Sequence, residues 1–179
     1  MTVPIWTPPG IITSCGEWGI GDFLQAQNLA TQSGGGAVAW PSGSLAIYCP
    51  IVIPAPIIAV MLAVGNGAVG NNIDVGIYDQ AGTLIVSSGS TAMSGTSATQ
   101  TFDISDTVIG PGLFYLAAAI DGTTGGILRA NPGAAGAALL QAAGVAQQAS
   151  AFPLPANAVF ASMAQAYLPI ILLSIQTVV

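Results

Sequence analysis

The segment Leu45-Ala46-Ile47-Tyr48-Cys49-Pro50-Ile51-Val52-Ile53, followed at once by Pro54-Ala55-Pro56, narrows the fold more than any other part of the chain. Its side chains repeat every two residues: Leu45, Ile47, Cys49, Ile51 and Ile53 share one face, and Ala46, Tyr48 and Val52 share the other. That period belongs to a β-strand. Both faces are apolar, so the strand needs cover on both sides, either within the domain or at a subunit interface. Proline brings no N–H to a ladder, so Pro54-Ala55-Pro56 marks a bend or a change of sheet before the next apolar strand, Ile57 to Val64.

The same period continues downstream. Ile73-Asp74-Val75-Gly76-Ile77-Tyr78 places Ile73, Val75 and Ile77 inward. Asp79-Gln80-Ala81-Gly82 is a turn with glycine at a position suited to positive φ, and Thr83 to Ser87 returns as the hairpin partner. A polar loop, Ser87 to Thr99, precedes a strand over Thr99 to Ile104, a turn at Ile109-Gly110-Pro111-Gly112 and a buried strand from Leu113 to Ile120. Ala134 to Gln148 is rich in helix formers but is weakened by Gly136 and Gly144, and reads as a short helix or a loosely ordered insertion. Phe152-Pro153-Leu154-Pro155 is extended, and Tyr167 to Thr177 is a last strand. About seven or eight short strands with frequent turns and no alternating helices predict an all-β fold, a jelly-roll-like antiparallel β-sandwich with one short helix.

Residues 1–36 differ from the remainder. Pro4, Pro8, Pro9 and Gly10 forbid a long helix, Trp6 and Trp18 sit among glycines, and Ser33-Gly34-Gly35-Gly36 closes the stretch as a hinge. We read an extended N-terminal arm over 1–36 and the sandwich over 37–179. The arm's large apolar side chains, Ile5, Trp6, Ile11, Ile12, Trp18 and Phe23, are the candidate partner-binding residues, since a segment with little pattern of its own needs a surface to bury them. The simpler alternative has the arm lying along its own domain.

Charge narrows the function. Charged residues make up 4% of the chain, against roughly 25% in ordinary soluble domains. There is no Lys and no His, Arg129 is the one cation, and the acids are Glu17, Asp22, Asp74, Asp79, Asp103, Asp106 and Asp121, for a net charge of −6. Nucleic-acid binding neutralises phosphates with Lys and Arg, so no nucleic-acid partner is expected, and anionic membrane surfaces are disfavoured for the same reason. Ser44 to Gly65 is uncharged and long enough to span a bilayer, but Pro50, Pro54 and Pro56 interrupt it and no flanking cation orients it. The first residues lack the cationic region of a secretory signal. Cys15 and Cys49 permit one disulfide, but two buried thiols is the plainer reading.

Motifs for chemistry are scarce. Gly65-Asn66-Gly67-Ala68-Val69-Gly70 fits a dinucleotide-binding pattern, yet the residues after it alternate as a strand, where that fold requires a helix to hold the pyrophosphate. It reads as a glycine-rich connection between antiparallel strands. With no His or Lys, serine and cysteine lack an ordinary activating base. Asp103 and Asp106 are close enough in sequence to act as a carboxylate pair, though capping a strand end and a turn explains them more simply. Zinc lacks ligands; calcium would require Asp74, Asp79, Asp103, Asp106 and Asp121 to meet at one rim. No catalytic residue and no cofactor are expected. Scattered aromatics, among them Trp40, Tyr48, Tyr78, Tyr115 and Tyr167, leave a sugar-binding site open.

The stretch Val75-Gly76-Ile77-Tyr78-Asp79-Gln80-Ala81-Gly82-Thr83-Leu84-Ile85-Val86-Ser87-Ser88-Gly89-Ser90, with Gly110-Pro111-Gly112-Leu113-Phe114-Tyr115-Leu116-Ala117 and the later Phe152-Pro153-Leu154-Pro155, resembles tailed-bacteriophage virion structural proteins. These include jelly-roll head decoration or cement proteins and the sandwich domains of fibres. The resemblance spans roughly 40–179 and implies a non-enzymatic protein on the outer surface of the capsid. It would bind the major capsid protein and further copies of itself, as a trimer, after assembly in the host cytoplasm. A tail or head fibre module that binds a receptor glycan is the alternative.

Overall fold

A computed structural model describes residues 38–130 and 135–177, together with the backbone of 11–13 and 16–17. In chain order the strands are β1 (Ile11–Thr13), β2 (Gly16–Glu17), β3 (Leu45–Ile53), β4 (Ile57–Gly65), β5 (Asn72–Asp79), β6 (Leu84–Ser87), β7 (Thr91–Ala92), β8 (Thr99–Ile109), β9 (Gly112–Ile120) and β10 (Arg129–Ala130). A short helix of about two turns, α1 (Gly136–Ala142), precedes β11 (Ala146–Gln148), β12 (Ala161–Ser162), β13 (Leu168–Pro169) and β14 (Ile171–Thr177). One sheet runs β2-β1-β14-β4-β8 and the other β12-β11-β3-β9-β5-β6, with β7 also on β5 and a small β10-β13 ladder beside them. Each pairing between these strands is antiparallel. The protein is an all-β, antiparallel sandwich with one short helix.

Pro54-Ala55-Pro56 does change sheets: β3 lies in the second sheet and β4 in the first. β5 returns to the second sheet, β8 lies in the first and β9 again in the second, where it pairs with both β3 and β5. Between the layers lies a continuous core. β3 supplies Leu45, Ile47, Cys49, Ile51 and Ile53, β5 supplies Ile73, Val75 and Ile77, and β9 supplies Leu116, Ala118 and Ile120. They meet Ile57, Leu62 and Val64 of β4, Phe102, Ile104 and Ile109 of β8, and Ile171 and Leu173 of β14. Trp40 closes one end of this core: it is buried, donates Nε1–H to the Leu45 carbonyl at 2.9 Å and meets Tyr167 edge-on at 5.1 Å.

The second apolar face of β3 is covered from within. Ala46 and Tyr48, with Tyr78, Ala117, Ala119, Ala146, Ala151 and Leu154, form a second core on the outside of the β3-β9-β5 sheet, with Phe152, Ala158 and Phe160 packed on it. Of the two covers that the alternation allowed, the one within the domain is found for Ala46 and Tyr48, while Val52 on the same face stays 67% exposed.

Some elements differ from the sequence expectation. β8 runs on past Ile104 to Ile109, because a register shift on β4 between Ala59 and Met61 lets the polar Asp103-Ile104-Ser105-Asp106 stretch bulge without ending the ladder. The Ser87–Thr99 loop contains the two-residue β7. Helix formers in Ala134–Gln148 give only α1, after which the chain turns at Gly144 (φ +82°) into β11.

Candidate functional site

The outer face of the β3-β9-β5 sheet is the most elaborated surface of the molecule. Small residues in the middle of it, Ala117 and Ala119 on β9 and Gly76 on β5, leave room above the backbone for large rings. Tyr48 meets Tyr78 edge-on at 5.2 Å and Phe160 at 5.1 Å, while Phe160 lies tilted against Tyr115 at 4.5 Å. Such aromatic pairs contribute about 0.5–1.5 kcal/mol each beyond their buried area. Tyr78 donates its hydroxyl to the Pro155 carbonyl at 2.7 Å, and Tyr48 donates to Gln148 Oε1 at 2.9 Å. Burial pushes the Tyr48 phenol up to about 12 and raises that of Tyr78 as well.

Residues 149–160 form a strap across this aromatic layer. Its amides and carbonyls clasp the sheet: Ala151 N–H donates to the Ser44 carbonyl at 2.7 Å, Leu84 N–H to the Ala156 carbonyl at 2.9 Å, and Ala158 N–H to the Gly82 carbonyl at 2.7 Å. Gly82 has φ +87°, and a Cβ there would fall 2.9 Å from the Ala158 carbonyl oxygen. A Cβ at Gly76 would likewise lie 3.0 Å from a Leu154 methyl. One carboxylate joins the clasp. Asp74, 1% exposed, accepts from Leu154 N–H at 3.0 Å and from Ser88 Oγ–H at 3.3 Å. Burial holds its carboxyl above the ordinary value of 3.8, opposed by hydrogen bonds from Leu154, Ser88, Ser87 and Gly89.

The two ends of the sandwich differ in chemistry. At one, the turns 54–56 and 110–112 pack together, with a Cβ at Gly110 falling 3.1 Å from the Ala55 carbonyl oxygen. Val52 and Val108, 67% and 63% exposed, flank these turns, and no residue from 52 to 58 or from 107 to 113 is charged. At the other end the glycine-rich stretch Gly65–Gly70 links β4 to β5 across the sheets, and amides tie the loops together. Asn66 Nδ2–H donates to the Ser94 carbonyl and to Gln100 Oε1, both at 2.7 Å, Asn71 Oδ1 accepts from Gly125 N–H at 2.7 Å, and Asp121 accepts from Asn72 at 2.9 and 3.0 Å. Those partners account for the motif as a structural connection, with a strand where a dinucleotide site would need a helix.

The five aspartates weighed for calcium are dispersed. Asp74 is buried under the strap, Asp79 caps the β5–β6 turn through Thr83 N–H at 2.7 Å, Asp103 and Asp106 lie exposed on β8, and Asp121 ties the amide end. Among the described residues no three of His, Cys, Asp or Glu gather in a metal-holding cluster. Arg129 donates to the Ala166 carbonyl at 2.9 Å and lies over the Tyr167 ring at 5.2 Å. Among the described residues no helix is long and apolar enough to cross a membrane.

Of the arm candidates, Ile5, Trp6, Trp18 and Phe23 lie outside the described residues. Ile11 and Ile12 are described by backbone alone, which pairs with Ser174 and Leu173 of β14 and so extends the chain's own sheet. Cys15 is likewise outside, and Cys49 is buried in the main core. Of the aromatics weighed for sugar binding, Trp40, Tyr48, Tyr78 and Tyr167 are core side chains, and Tyr115 stays half-buried. In the sequence, Asp74 counts among the acids weighed for calcium and Phe152-Pro153-Leu154-Pro155 is an extended segment, with nothing bringing the two together; a lone acid within an apolar strand, followed much later by a Pro-x-Pro segment, was the available signal. Compared with family models, curated proteins and solved structures, the chain matches none.

Proposed function

We propose that the chain is a non-enzymatic structural module of a bacteriophage particle, a decoration or cement protein on the outer surface of the head. It contacts the major capsid protein and further copies of itself, as a trimer. The observation that carries this reading is the uncharged end of the sandwich, where Val52 and Val108 stand about two-thirds exposed beside Pro54, Ala55, Pro56 and Pro111. Apolar surface held out by rigid turns and free of charge matches the centre of a protein–protein contact, whose core is depleted of charged residues. Sedimentation of the purified chain, alone and with emptied phage heads, tests the proposal. An oligomer that co-sediments with heads supports it, and a monomer indifferent to heads overturns it.

One observation favours the second reading, a fibre module that binds a receptor glycan. Tyr115 is only partly buried and is braced by Phe160, and a braced ring of that kind can stack on a sugar. Reproducible hits on a glycan array that vanish in Tyr115→Ala would put this reading first.

A further inference from the structure

We infer that residues 149–160 are a latched strap whose hold on the sheet is set by the charge on Asp74, losing the charge tightening the strap and gaining it loosening the strap. The inference concerns regulation of the outer face and does not depend on the proposed virion role.

The geometry supplies the latch. Asp74 sits on the outer face of β5, opposite Ala119, and is 1% exposed. Its carboxylate takes the Leu154 amide from the strap at 3.0 Å and the Ser88 hydroxyl from the link after β6 at 3.3 Å. The other clasps on the strap are backbone pairs, the Tyr78 hydroxyl on the Pro155 carbonyl and the Val159 N–H on Gln148 Oε1 at 2.8 Å, none of which ionises in the neutral range. Asp74 is therefore the clasp member that carries an acidic side chain, and its charge follows pH as the carboxyl titrates.

The neighbours set the direction. Ser87 approaches from the end of β6, Ser88 and Gly89 from the link after it, Leu154 from the strap, Ala119 from β9, Tyr78 from β5 itself, and Tyr48 from β3 lies against Tyr78. The two phenols are the only titratable side chains in that group, and both are raised, so they stay neutral. Arg129 stacks on Tyr167, which belongs to the other core. The ionised carboxylate is thus buried with donors but without a counter-charge among the described residues, and burial outweighs the hydrogen bonds in holding its proton. Lifting the strap admits water to the charge, so ionisation favours the lifted state. Opening bares the apolar layer of Tyr48, Tyr78, Ala117 and Ala119.

Hydrogen exchange of the intact protein at pH values on either side of the Asp74 titration, corrected for intrinsic rates, tests this at the amides of Ala151, Leu154 and Ala158. Strap protection is expected to rise on acidification relative to β9, by up to about tenfold for each unit by which the carboxyl is raised. The pH dependence is expected to vanish in Asp74→Asn. The midpoint should also coincide with the titration of the Asp74 carboxyl carbon by NMR in the wild-type protein, a comparison that stands if the variant does not fold. Strap protection that is flat or falls on acidification, a midpoint apart from that of Asp74, or an unchanged slope in Asp74→Asn would overturn the inference.

Discussion

At the scale of single residues, Asp74 and Gly76 govern the outer face. A carboxyl raised above its ordinary value binds its proton more tightly in the folded than in the unfolded chain. Its stabilising contribution is full below the ordinary value and is lost as pH rises through the folded-state value, the reverse of a salt-bridged aspartate. Chemical denaturation should therefore show that the stability advantage of wild type over Asp74→Asn shrinks as pH rises from below the ordinary carboxyl value through the folded-state titration of Asp74; an advantage that grows would contradict the assignment. At Gly76 a Cβ would lie 2.9 Å from the Val86 carbonyl oxygen and 3.0 Å from the Leu154 methyl. Gly76→Ala is expected to cost about 1–3 kcal/mol in denaturant unfolding, as overpacking does. The sequence displays Gly76 in an apolar strand, but the residue that needs its space lies far along the chain, so only the fold reveals the reason.

At the scale of elements, strands were legible wherever one face is buried by a regular partner. β3 begins and ends at Leu45 and Ile53, where alternation begins and proline ends it, and β5 and β6 meet at Gly82 with φ +87°. β8 was read too short because polar residues in a bulge resemble a strand end, although the ladder resumes at Thr107. Asp103 and Asp106 lie exposed on this last strand of its sheet, where charge and a bulge discourage edge-to-edge pairing. The strap was legible only as an extended stretch, since its binding comes from backbone groups and from one aspartate distant in sequence. Leu154 is its buried anchor. Leu154→Ala should cost about 2–5 kcal/mol, as large-to-small core changes do, and should speed exchange in 149–160 more than in β9.

At the scale of the whole molecule, the chain buries most of its two-sided apolar strand faces within one sandwich and holds Val52 and Val108 out at one uncharged end, while Val38, Leu139 and Val159 are exposed elsewhere. The composition displayed the shortage of charge but not where the remaining apolar surface would lie, because that depends on which loops meet at the ends of the sheets. Val52→Asp with Val108→Asp changes exposed side chains only, so the unfolding midpoint should stay close to wild type while sedimentation shows loss of the oligomer. An unaltered oligomer would place the subunit contact elsewhere. The most direct measurement is imaging of virions with and without this protein. Its density is expected on the outside of the head, in repeated copies that touch the major capsid protein; density confined to the tail would overturn the proposed role.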